Sequence, residues 1–84
     1  SDQYDIKLQI AGLSRGADSH VVRGDMTGHS FSIFHFRAGR LIAVDSINAA
    51  KDHMLARQII GGEVSPTVEQ VNDPSFNLAT LRAK

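Results

Sequence analysis

Four histidines, His20, His29, His35 and His53, are the side chains in this sequence best able to hold a metal ion or move a proton near neutral pH. A zinc-type site needs three or four converging ligands. His29 and His35 fall on one face of an extended segment but six residues apart, a separation of ~20 Å at ~3.3 Å per residue, so they cannot share an ion within that strand. One helical turn beyond His53 stands Arg57, not a second ligand. The chain has no cysteine, which excludes a thiolate site, a disulfide framework and a cysteine nucleophile. No metal site is expected.

Nucleophilic catalysis fares no better. Ser30, Ser32 and Ser46 occupy the alternating polar positions of strands, with no base at a spacing that would activate them. Asp2, Asp5, Asp18 and Asp25 lie near the start or in loops, so nothing sets two carboxylates at a fixed catalytic separation. Gly12 and Gly16 flank a loop, yet neither the G-x-G-x-x-G nor the G-x-x-x-x-G-K-[ST] pattern occurs, and a phosphate cradle is missing. The candidate catalytic set is therefore empty. His53 and Arg57, one turn apart on a helix that also carries Lys51, suggest instead a docking surface. The plainer alternative is that Arg57 complements the helix dipole from the last turn.

The elements that must position these residues follow from periodicity. At 84 residues the chain is one domain, 1–84, with a modest buried core. Tyr4, Ile6, Leu8 and Ile10 alternate with Asp5, Lys7 and Gln9, which predicts a half-buried strand. A turn-rich stretch over 12–19 precedes a short strand over 20–23, and a third strand over 30–37 carries aromatics on both faces and is expected at the sheet centre. Ala38-Gly39 then makes a two-residue link to a strand over 41–47, predicting a tight antiparallel hairpin. Asn48 is placed to cap a helix over about 49–60, which Gly61-Gly62 would stop. Thr67 and Gln70 have capping-box spacing for a short helix ended by Asp73-Pro74, and Leu78 and Leu81 would form a last turn on the core. The order predicts an α+β fold: an antiparallel sheet of three to five strands, with one main helix and a short helical C-terminal tail packed on one face.

Nine basic and nine acidic side chains cancel to a net charge of zero, which favours neither nucleic acid nor an anionic membrane as partner. No apolar run approaches the ~20 residues that span a bilayer. The polar, acidic start at Ser1 to Tyr4 is unlike a secretory signal, so a cytoplasmic location is expected.

Three stretches taken together resemble the C-terminal domain of FAD-dependent NAD(P)H:ferredoxin and rubredoxin reductases of the putidaredoxin reductase type. They are Ser1-Asp2-Gln3-Tyr4 with the following strand and Gly12-Leu13-Ser14; Val22-Arg23-Gly24 with Phe31-Ser32-Ile33-Phe34; and Leu41-Ile42-Ala43-Val44-Asp45-Ser46-Ile47-Asn48, running into a helix that ends Arg57-Gln58-Ile59-Ile60. In order and spacing they cover nearly the whole chain. The family's S-D-Q-Y segment normally follows a tryptophan beside the flavin, where the FAD-binding, NAD-binding and C-terminal domains meet; here Ser1 opens the chain. The resemblance implies a parent enzyme that takes hydride from NAD(P)H onto FAD and passes single electrons to a ferredoxin or rubredoxin. Ser1, Asp2 and Gln3 would then sit near the flavin, and Arg57, with Lys51 and His53, would help dock an acidic iron–sulfur protein. FAD and NAD(P)H would belong to the parent's other two domains, and the chain alone would be neither an enzyme nor a cofactor binder. The competing expectation is a free-standing, non-enzymatic interaction or dimerisation module; a small independent hydrolase would need a catalytic constellation that these residues lack.

Overall fold

The computed structural model describes residues 7–60, 62 and 64–81. Four strands come first, β1 (Leu8–Gly12), β2 (Ser19–Asp25), β3 (Ser30–Arg37) and β4 (Arg40–Ile47), followed by helices α1 (Ala50–Ile60) and α2 (Val68–Asn72) and a 3₁₀ turn at Leu78–Leu81. All neighbouring strands are antiparallel, in the order β1-β4-β3-β2. The aromatic strand β3 is interior, as its two apolar faces require.

The β3–β4 hairpin turns on Ala38 and Gly39, with φ of 52° and 80°. Left-handed conformation at both central residues matches the right-handed twist of the flanking strands. Asp18 steadies the turn by accepting a hydrogen bond from the Ala38 N–H at 3.0 Å, which helps offset the ~1 kcal/mol that a non-glycine residue loses in that conformation.

One face of the sheet is closed by the helices. Val21, Phe34 and Val44 align across β2, β3 and β4 in register and pack with Leu55, Ala56 and Ile59 of α1, Val71 of α2 and Leu78 of the 3₁₀ turn. Ser32 and Ser46, both fully buried, satisfy one another across β3 and β4 at 2.9 Å, which removes the cost of leaving either hydroxyl unpaired. Arg23 of β2 fixes the C-terminal segment by donating to the carbonyls of Val71, Asp73 and Phe76. The expected capping box is present: the Thr67 hydroxyl accepts from the Gln70 N–H, and the Gln70 side chain accepts from the Thr67 N–H, both at 3.0 Å.

Four local expectations are corrected. The apolar side of β1 does not enter the core: Leu8 and Ile10 are 57% and 64% exposed, while Ala11 packs against the core cluster. Alternation marks two faces of a strand, but the face that the helices cover is decided by register with β4. Asn48, at φ 49°, does not cap α1 with its side chain. Its Oδ1 accepts from the Lys7 N–H at 2.8 Å and its Nδ2 donates to the His29 carbonyl at 3.1 Å, so it ties β1 to the turn before β3. His29 itself lies in that turn, outside β3, at φ 58°. Of the two glycines expected to stop α1, Gly61 lies outside the described residues, and Gly62 closes the last turn by donating to the Ile59 carbonyl at 3.0 Å without a positive φ.

Candidate functional site

The solvent side of α1 carries Lys51, Met54, Arg57 and Gln58, all exposed. Met54, Arg57 and Gln58 line a shallow depression of about 300 Å³. An apolar thioether beside a guanidinium and an amide is chemically suited to a protein partner, because Met adapts its shape and Arg recognises carboxylates. Helical spacing puts these residues on one surface: 54 and 58 are one turn apart, with 57 and 51 flanking them.

His53 was expected on this surface and is not there. It is only 4% exposed and belongs to the buried side of α1 with Leu55, Ala56 and Ile59. Its spacing of three to Ala56 places it on the inward arc, a signal that its adjacency to Arg57 obscures. Burial first, and then the charge of Arg57, hold its pKa below the ordinary histidine value of 6.5. Its Nδ1 has no hydrogen-bond partner among the described residues. Ser1, Asp2 and Gln3, the expected flavin neighbours, lie outside the described residues.

The opposite face of the sheet holds a second cluster, which spacing along the chain does not reveal. Antiparallel register sets His20 of β2 directly across from His35 of β3, and their Nδ1 atoms meet at 2.7 Å. The rings are nearly perpendicular, at 82°. His35 Nε2 in turn lies 2.9 Å from Asp45 Oδ2 on β4. The middle histidine is buried and Asp45 half-exposed, whereas His20 is open to solvent. Once the hairpin following β2 is aligned, this pairing could be read from the sequence; a search confined to one strand overlooks it. Among the described residues no three His, Cys, Asp or Glu side chains converge on a common point, and no helix is long and apolar enough to cross a membrane.

The architecture is an α+β domain of one antiparallel sheet, without a parallel βαβ unit among its described residues that could seat a dinucleotide. It belongs to the reductase C-terminal family, which matches residues 1–82. Over all 84 residues it is 51% identical to rhodocoxin reductase of Rhodococcus erythropolis, of which it spans 20%. It is 35% identical to putidaredoxin reductase of Pseudomonas putida over 99% of this chain and 20% of that protein. Among solved structures, a ferredoxin reductase from Rhodopseudomonas palustris superposes with a TM-score of 0.88 at 47% identity, covering 99% of this chain and 20% of that one. The covalent putidaredoxin reductase–putidaredoxin complex gives a TM-score of 0.83 at 34% identity, over 96% of this chain and 19% of that one. The chain thus corresponds to about one fifth of the relatives it matches.

Proposed function

We propose that this chain is the C-terminal accessory domain of an FAD-dependent reductase that carries electrons from NAD(P)H to a ferredoxin or rubredoxin. The observation that carries this reading is the end-to-end match, at 51% identity, to one fifth of a rhodocoxin reductase. FAD and NAD(P)H would be held by the parent's other domains. FAD, when bound there, would accept hydride and release electrons singly. The residues of this chain do something else. Ser1, Asp2 and Gln3 would contribute one wall of the flavin site, and the exposed side of α1 would receive the acceptor.

Arg57 is the principal docking residue and Lys51 a weaker one. Met54 and Gln58 shape the depression between them, and His53, buried one turn before Arg57, supports the helix from beneath without touching the partner. A rim cation acts mainly by steering the encounter with an acidic protein. In the intact reductase, Arg57→Glu is therefore expected to raise the KM for ferredoxin severalfold while leaving reduction of a small artificial acceptor unchanged. Equal loss with both acceptors, or no loss with either, would contradict the docking assignment and leave Arg57 as a helix-terminal charge.

A further inference from the structure

The helix-free face of the sheet is apolar across all four strands. Register sets Leu8, Ile47 and Phe31 in one cross-strand row, and Ile10, Asp45, Ile33 and Val22 in the next. Leu8, Ile10 and Val22 are exposed and Phe31, Ile33 and Ile47 half-buried, while α1, α2 and the 3₁₀ turn pack on the opposite face. Six large apolar side chains in two adjoining rows make a patch of a kind that soluble monomers rarely leave in water, and one that marks a protein interface.

Charge narrows the occupant. A third row holds Gly12, Ala43, His35 and His20, so the three rows contain no lysine or arginine and a single carboxylate, Asp45, which His35 already engages at 2.9 Å. An acidic iron–sulfur protein finds no lysine or arginine here, in contrast to Lys51 and Arg57 on α1. Apolar and aromatic side chains with few charges are the make-up of an interface core, suited to a protein surface that is itself apolar and uncharged.

Resting on the reading of the chain as one domain of a larger reductase, we infer that this face is covered in cis by the FAD-binding domain of the same polypeptide, with contact beginning at Leu8 and Ile10. Chain reach selects that domain. Gln3, assigned to the flavin wall, precedes Leu8 by five residues, and a stretch of that length extends at most ~18 Å. The domain that holds the flavin therefore comes within about that distance of β1, the edge strand on which Leu8 and Ile10 stand. A relative such as rhodocoxin reductase has ample chain for this, because the match spans only 20% of it. Covalent linkage also gives the neighbouring domain an effective concentration on the order of millimolar, ahead of a second copy of the molecule.

The test is cysteine labelling in the intact reductase. This domain has no cysteine of its own, so with any cysteines of the other domains replaced, Ile10→Cys and Val64→Cys each report on one position. The two sites are similarly open in this chain, at 64% and 54% exposure, and Val64 lies in the connection from α1 to α2. With each rate of reaction with a small maleimide normalised to that of the urea-unfolded protein, Ile10→Cys is expected to react at least tenfold more slowly than Val64→Cys, at every protein concentration. A second pair guards against a variant that fails to fold: Ile10→Glu should lower the thermal midpoint of the intact reductase by several degrees, since it buries a charge at the interface, whereas Val64→Glu should leave it nearly unchanged. Equal labelling rates in a protein that binds flavin would overturn the interface and leave the reductase reading standing. An intact protein without flavin would overturn both. Protection of Ile10→Cys that disappears on dilution would assign the face to a second copy and overturn the assignment in cis.

Discussion

The two faces of the sheet are built from the same strands and have opposite characters. On the helix side, Ser32, Phe34, Phe36, Val44 and Ser46 are all fully buried, and the polar pair among them is self-satisfied. On the other side Leu8, Ile10 and Val22 are 57%, 64% and 43% exposed, and the polar residues form the open-ended His20–His35–Asp45 line. Apolar burial is concentrated on the first face, while the second leaves large apolar side chains and one end of the histidine line in contact with solvent. What separates them is not composition but which face α1, α2 and the 3₁₀ turn happen to cover.

Truncating one apolar side chain on each face should break or confirm that contrast most strongly. Phe34→Ala is expected to cost about 3–5 kcal/mol, because the fully buried ring leaves a cavity, a large share of the stability of a domain this small. Ile10→Ala on the exposed face should stay within about 0.5 kcal/mol. Urea denaturation of the two variants measures the difference, and comparable losses would mean that the outer face is as well packed as the inner one.

A smaller contrast lies between two glycines of similar φ. Gly12, at φ 74°, would place a Cβ only 2.2 Å from the Ile42 carbonyl oxygen, whereas Gly39, at φ 80°, has nothing within 4 Å. Gly39→Val should therefore cost only the backbone strain of the hairpin turn, about 1 kcal/mol or slightly more. Gly12→Ala adds a steric clash between β1 and β4 and should cost clearly more. Equal thermal shifts for the two would show that the β1–β4 contact relaxes freely.

The smallest effect is one of pH. His53 is buried on the helix side with its pKa lowered, first by desolvation and then by Arg57, from an ordinary value of 6.5. Below about 6.5 the unfolded chain binds a proton that the folded chain resists, so this contribution to stability is intact above that pH and is lost as pH falls towards the lowered folded value. His53→Leu should flatten that part of the stability curve, checked by urea midpoints between about pH 8 and about pH 5. A curve of unchanged shape would place the titration elsewhere.

Much of the architecture was legible because it is written in local chemistry. Ala38-Gly39 specified the hairpin, Thr67 and Gln70 the capping box, and the doubly apolar β3 its interior position. The exposed docking candidates Lys51 and Arg57 could likewise be placed from helical spacing. What escaped was decided by contacts distant in sequence. Leu8 and Ile10 alternate as a core strand would, yet register with β4 turns them outward. Asn48 has the composition of a helix cap, but Lys7, 41 residues earlier, takes its side chain. His20 and His35 look unrelated along the chain and become neighbours only when β2 and β3 pair. His53 was assigned to the surface through its neighbour Arg57, although its spacing to Ala56 turns it inward.

The proposal that α1 receives the electron acceptor is tested most directly by the association rate of ferredoxin with the intact reductase, measured across ionic strength for the unaltered protein and for Arg57→Glu. At ~10 Å screening length near 0.1 M salt, and longer when dilute, a rim charge acts chiefly at low salt. The account predicts that the variant associates severalfold more slowly in dilute buffer and that the two rates converge as salt is raised. Rates that coincide at every ionic strength would contradict it, as would rates that differ by a constant factor throughout.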